Sequence, residues 1–145
     1  KELEGDFAAM SQALEQAEKA IYLTELFTIV KADQLTSSIN AYFDPSVLKF
    51  KLFEQLKNGG IEPTCEVLVK SKQGNYKEFR GANSAGKINA GLEIIHVLSK
   101  SYGKSIPIAI DNAEGVNRLN VRDAQVIATY VTRDPKLVIE PFDYM

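Results

Sequence analysis

Gly81-Ala82-Asn83-Ser84-Ala85-Gly86-Lys87 has the G-x-x-x-x-G-K spacing of a phosphate-binding loop. Such a loop also needs a Ser or Thr after the lysine, to place a hydroxyl on magnesium, and here Ile88 follows. It should follow a buried parallel strand, whereas residues 76–80 read as a short, polar hairpin strand. Gly103-Lys104-Ser105 has Leu98 in place of the first glycine and precedes a strand, so neither stretch meets the full P-loop pattern. What remains is a turn of small residues, Ser84-Ala85-Gly86, at the start of a helix. Free backbone N–H groups, the positive end of a helix dipole and the Ser84 hydroxyl suit an anion. Further along, the apolar run 106–110 ends in Asp111, followed by Asn112, Ala113 and Glu114. A buried strand that delivers a carboxylate at its C-terminal end is the physical form of a Walker B element, which serves magnesium and nucleotide phosphates.

The elements that must hold these residues can be read from periodicity. Leu3, Phe7, Met10, Leu14, Ala17 and Ile21 are spaced alternately by four and three, the seam of a coiled coil or of a narrow amphipathic helix. Beyond Ile21 the apolar set widens with Leu23, Leu26, Phe27, Val30, Leu35, Ile39 and Phe43, as if the helix entered a globular core. Asp44-Pro45 ends it, since the residue before proline avoids the helical region. Alternation in 47–53, 64–70 and 76–79, with turns at 58–60 and 73–75, predicts an antiparallel meander. A helix follows from Ser84 to Gly103, with Ile88, Leu92 and Ile95 on one face. Residues 106–110 predict a central strand covered on both faces. A short helical stretch at 119–124, a strand at 125–131 and an edge strand at 137–139 complete an α/β pattern with a mixed sheet.

Composition narrows the chemistry. The chain has 145 residues, one domain's worth, with 17 Lys and Arg against 19 Asp and Glu, so it is not a globally basic nucleic-acid binder. One cysteine, Cys65, excludes an intrachain disulfide, and one histidine, His96, argues against His-based metal centres and Ser-His-Asp catalysis. His96 is read as a packing or surface residue. Charge is uneven: residues 1–43 carry 3 positive and 7 negative side chains, residues 44–104 carry 10 and 6, and residues 105–145 carry 4 and 6. The middle third could face phosphate or DNA. No apolar run approaches the ~20 residues that span a bilayer, and the expected setting is a reducing cytoplasm. With Lys1 in place of an initiator methionine, the chain is expected to belong to something longer.

The order of these elements resembles the C-terminal half of the ATPase head of SMC-type proteins and their SbcC-like DNA-repair relatives, which are ABC-class ATPases. A coiled-coil helix enters the head, strands follow, a signature motif L-S-G-G-[EQ] opens a helix, and a Walker B strand and D-loop come next. Asn83-Ser84-Ala85-Gly86-Lys87 stands at the signature position, with Ser84 and Gly86 matching. The run 86–95 followed by 106–114 looks most like phage-encoded members. The resemblance implies a coiled-coil exit helix over 1–43 and the C-terminal ATPase lobe over 44–145. It also implies that Ser84, Ala85, Gly86 and Lys87 meet the γ-phosphate of ATP held by a second head, in a homodimer, and that Asp111 serves Mg2+. The family's catalytic glutamate falls on Asn112, so Glu114 must act from a shifted position or hydrolysis is weak. Gly115-Val116-Asn117 would lie near the D-loop, and Arg133, after Thr132, replaces the switch histidine. The P-loop lobe is the implied partner, DNA the implied substrate, and a bacterial or phage-infected cell the implied setting. This chain alone is not expected to bind ATP tightly or to hydrolyse it.

Two other functions fit the residues. One is a non-enzymatic DNA- or protein-binding module using the basic 44–104 meander and dimerising through its N-terminal helix. The other is a small nucleotide-binding enzyme with residues 81–87 as an irregular P-loop.

Overall fold

A computed structural model describes residues 2–57 and 59–141. The chain runs α1 (Glu2–Asn40), β1 (Leu48–Gln55), β2 (Ile61–Lys70), β3 (Tyr76–Glu78), α2 (Ser84–Tyr102), β4 (Ile108–Ile110) and β5 (Val126–Ala128), with single 3-10 turns at Phe79–Gly81 and Ala113–Gly115. β1, β2 and β3 form an antiparallel sheet in that order, and β4 pairs with β5 in parallel. The architecture is mixed α/β, with two separate sheets where one mixed sheet was expected. These elements alone do not constitute an ABC-type ATPase fold. Among the described residues no helix is long and apolar enough to cross a membrane.

The chain divides into two compact units, one holding α1 up to Ser38 with Leu52–Cys65, the other holding Ile39–Lys51 with the chain from Glu66 onward. In the first, α1 is continuous because no proline and only Gly5 interrupts it. The expected widening of its apolar face does not occur. At about 100° per residue, Leu23, Leu26, Phe27 and Val30 lie nearly opposite the Phe7–Ile21 stripe. Both sets are exposed, and among the residues of the helix whose burial is described Ala32 alone belongs to the core.

In the second unit α2 is covered on two sides. Leu92, with Ile88 and Ile95, packs against Ile108, Ile110, Ala113 and Leu119, while Ala90 and Ile94 pack against Val47, Leu48 and Val69. The α1–β1 corner is set by side chains. Asn40 Nδ2 donates to the Phe50 carbonyl at 2.9 Å and Asn40 Oδ1 accepts from the Phe50 N–H at 2.6 Å. Asp44 Oδ1 then takes the Ser46 N–H at 2.8 Å, turning the chain into β1.

Three strand and helix expectations need correction. β4 has one covered face: Ile108 and Ile110 are buried and Ala109 is exposed. Residues 119–124 form an irregular stretch with a bend at 123–124 instead of a helix, because Leu119 enters the core and Asn120 is tied to α2. No strand forms at 137–139, where Leu137, Val138 and Ile139 are exposed. An apolar run becomes a strand only where an edge pairs with it, and no described edge does so here.

Candidate functional site

The predicted chemistry falls at two places on the second unit. The first is the C-terminal end of the parallel pair. The register Ile108↔Val126 through Ile110↔Ala128 brings Asp111 level with Thr129. The ladder continues past the strands, with the Thr129 N–H on the Ile110 carbonyl (2.9 Å) and the Ala113 N–H on the Thr129 carbonyl (3.0 Å). The Thr129 hydroxyl donates to Asp111 Oδ1 at 2.7 Å, the Asn112 N–H donates to the same oxygen at 2.9 Å, and Asn112 Nδ2 donates to Oδ2 at 3.0 Å. Asn112 adopts the left-handed conformation (φ 56°) that short polar side chains tolerate, and so folds back onto Asp111.

An exposed carboxylate is thus held by three donors and keeps one of its roughly four acceptor positions. Among the described residues no three His, Cys, Asp or Glu side chains form a metal-holding group. Magnesium commonly takes one or two carboxylates and completes its shell with water and phosphate oxygens, so Asp111 fits it as a single protein contact. Glu114 is exposed in the following 3-10 turn, and Tyr130 lies within reach of its charge. Burial, and secondarily the Glu114 carboxylate, raises the Tyr130 hydroxyl above its ordinary value. Gly115 closes that turn and Val116 packs on the core. Arg133 is exposed, with no ion pair or hydrogen bond among the described residues.

The second place is the start of α2. Asn83 is the N-cap, its Oδ1 accepting from the Gly86 N–H at 2.8 Å. A Cβ on Gly86 would stand 2.9 Å from that oxygen and 3.2 Å from Val69 Cγ1, so a side chain there would have to displace the Asn83 cap and push on Val69. With the Gly86 amide on Asn83 Oδ1 and the Lys87 amide on the Asn83 carbonyl at 3.0 Å, the Ser84 and Ala85 amides are those left for a ligand. Ser84 is exposed, and Lys87 lies with its ammonium 5.9 Å from the centre of the Phe79 ring.

Ala85 and Gly86 line a cleft of about 470 Å³ whose other walls include Lys70, Lys72 and Lys77 of the β2–β3 hairpin. Among the described residues no Asp or Glu lines it, so the charged side chains in its wall are all lysines. The hydroxyl of Ser71, also in its wall, is buried without a hydrogen-bond partner among the described residues. The sequence located the positive charge only as a regional excess and did not single out these lysines. Their convergence depends on the hairpin register Lys70↔Tyr76 and Val69↔Lys77. Thr129 was also missed, although its place one residue beyond an apolar strand repeats that of Asp111.

The two places share α2 and one core cluster. Ile88 and Leu92 of α2 pack with Ile110 and Ala113, the residues on either side of Asp111 and Asn112. His96 stands apart from both, half-buried in the wall of a different cleft of about 540 Å³ with Ser99 and Lys100. Neither a protein-family model, nor a curated protein, nor a solved structure matches this chain.

Proposed function

We propose that this chain is the C-terminal lobe of an SMC/SbcC-like, ABC-class ATPase head that acts on DNA in repair or recombination. The observation that carries the reading is Asp111, a carboxylate at the C-terminal end of a parallel strand and fixed by Thr129 and Asn112. Open α/β sheets use that edge for nucleotides. The order of elements supports the same reading: a long helix with an exposed heptad stripe, an antiparallel sheet, α2 opening at Asn83-Ser84-Ala85-Gly86, then β4 and Asp111.

In this reading the chain contributes two half-sites. Asp111 would help hold the magnesium of a nucleotide carried by the P-loop lobe, and that ion would supply neutralising charge for the phosphates. Asn112 follows Asp111 where the family has its glutamate, but its amide is engaged with the Asp111 carboxylate, so it positions that group. Glu114, exposed in the next turn, is the base available to water. The Ser84 hydroxyl and the amides of Ser84 and Ala85 meet the γ-phosphate of ATP on the opposite head, with the lysine-lined cleft beside them. Arg133 offers a cation to phosphate and cannot act as a base at neutral pH.

The test is to take from the parent reading frame a lobe with a G-x-x-x-x-G-K-[ST] element, mix it with this chain, and measure ATP- and Mg2+-dependent association by sedimentation. Association that Ser84→Arg abolishes, with unchanged circular dichroism, supports the reading. Association indifferent to ATP, or tight ATP binding by this chain alone, overturns it. A second reading, a non-enzymatic module that dimerises through α1, is favoured by the exposed apolar residues of that helix. An α1-dependent dimer that does not respond to ATP would put it first.

A further inference from the structure

We infer that the cleft at the C-terminal end of α2 binds a small amphipathic anion, an apolar ring body carrying one carboxylate or phosphate. The cleft encloses about 540 Å³, within the range of small-molecule sites. Its floor belongs to the core. The buried Leu92 and Ile108 line it, together with the half-buried Ile95, Val121 and Ala124 that pack on the same cluster. A cleft of this size leaves that floor open to water, and an apolar body seated there removes apolar surface from it.

Charge selects the head group. His96 and Lys100, one turn apart on α2, stand in the wall with Lys104 just past the helix and Arg122 on the facing segment. Asp123 is the one acid among the described residues of the lining. Lys100 and Lys104 form no ion pair among the described residues. Arg122 meets Asp44 at 3.5 Å and Glu93 at 3.8 Å, longer than the ~2.7–2.9 Å of a charge-assisted hydrogen bond, so these acids do not satisfy its five-donor fork. The last carbonyls of α2 would repel an anion, but two of them are occupied. The Gly103 N–H donates to the Lys100 carbonyl at 3.3 Å and the Lys104 N–H to that of Ser99 at 3.0 Å. The Ser105 hydroxyl donates to the Asp123 carbonyl at 2.9 Å and ties the two walls together before any ligand arrives.

This cleft opens at the N-terminal side of β4, whereas Asp111 follows its C-terminal end, and Ser84 lies at the other end of α2. It shares only Asn120 with the lining of the lysine-lined cleft. The inference therefore holds whether or not the chain is an ATPase lobe.

The experiment titrates the whole 15N-labelled chain, without nucleotide, with 2-naphthoate, 2-naphthyl phosphate and the neutral 2-naphthamide, following amide chemical shifts. The expected result is shifts centred on Ser99, Lys104, Ser105 and Val121. At least one acid should bind about tenfold tighter than the amide, the scale of one charge-assisted hydrogen bond, and the tighter acid names the head group. Lys100→Ala/Lys104→Ala, both on the exposed surface, should weaken the acids about fivefold and leave the amide unchanged. Lys100→Arg/Lys104→Arg should retain binding. Equal affinities for acid and amide, or shifts centred on α1 or on Ser84, overturn the inference. So does a polyglutamate peptide that binds the cleft more tightly than either acid, which would make it a surface for an acidic protein. None of these outcomes bears on ATP-dependent lobe association, which is measured separately.

Discussion

Replacing Gly86 by alanine tests whether the start of α2 is built as described. In an ordinary helix the change gains up to about 1 kcal/mol of backbone propensity. Here the new methyl would stand 2.9 Å from Asn83 Oδ1 and 3.2 Å from Val69 Cγ1. Asn83 must withdraw, which forfeits the cap, worth about 1 kcal/mol. Val69 is buried and can yield only slightly, at about 1 kcal/mol or more for overpacking. The net expectation is destabilisation of about 1–2 kcal/mol, or about 3–6 °C in melting temperature for a chain of this size.

The decisive comparison is a double-mutant cycle. Asn83→Ala alone costs about 1 kcal/mol. In that background the oxygen that Gly86→Ala would meet is gone, so only the Val69 contact opposes the propensity gain and the second substitution is close to neutral. The coupling is therefore about 1 kcal/mol, readable from urea midpoints of the four proteins at constant m-value. Costs that add to within about 0.4 kcal/mol, or a stabilising Gly86→Ala single variant, would refute the argument that the cap and the glycine are one device.

Three further predictions follow from polar groups in the second unit. Glu93 is 2% exposed, accepts the Asp44 N–H at 2.9 Å and faces Arg122 at 3.8 Å, so Glu93→Ala should cost about 3 kcal/mol in chemical denaturation. Glu93→Gln, which can still accept from Asp44, should cost about 1 kcal/mol. Hydrogen bonds from Ser46, outweighing partial burial and aided by Arg122, hold the Asp44 carboxyl below its ordinary 3.8. The stabilisation it gives is therefore present above that value and lost as pH falls through the lower folded-state value, so acid titration below about pH 4 should cost the native chain more stability than Asp44→Asn. Tyr130 should ionise above its ordinary 10.0 by ultraviolet titration, and Glu114→Gln should bring it only part of the way back, because burial is the larger cause.

Features written in a few neighbouring residues were legible in the sequence. The small-residue turn Ser84-Ala85-Gly86 opening a run with Ile88, Leu92 and Ile95, and Gly103 ending it at φ 62°, are such features, and α2 lies where they place it. The Gln73-Gly74-Asn75 turn likewise marks the β2–β3 hairpin, with Gly74 at φ 89°. Features that depend on distant partners were not legible. An apolar run cannot say whether one face or both will be covered, so β4 was read as doubly buried and 137–139 as a strand. Glu93 lies between Leu92 and Ile94 in the sequence, and nothing local marks it for burial. Its reason is the Asp44 N–H, 49 residues away in the chain. The lysine-lined cleft needed the hairpin register, and the role of Thr129 needed the parallel pairing.

Three polar side chains fix α2 along its length, and together they determine what its N-terminus can do. Asn83 closes the first turn. Asn89 donates to the Arg118 carbonyl and accepts from the Asn120 N–H, both at 2.9 Å, tying the middle of the helix to the loop that brings Leu119 into the core. Glu93, one turn further, holds the Asp44 backbone, and Arg122 lies within 3.8 Å of both Glu93 and Asp44. Asp111 depends on none of these contacts, since its donors are its own neighbour and Thr129 on the paired strand. The loop connecting them runs from Asn112 through Arg118 and Asn120 to Arg122, so the β4–β5 connection is also the clamp on α2. Bracing the carboxylate and positioning the helix are thus two uses of one stretch of chain. A substitution at Asn89 should disturb the cleft at the start of α2 while leaving the Thr129–Asp111 hydrogen bond intact, whereas Thr129→Val should do the reverse.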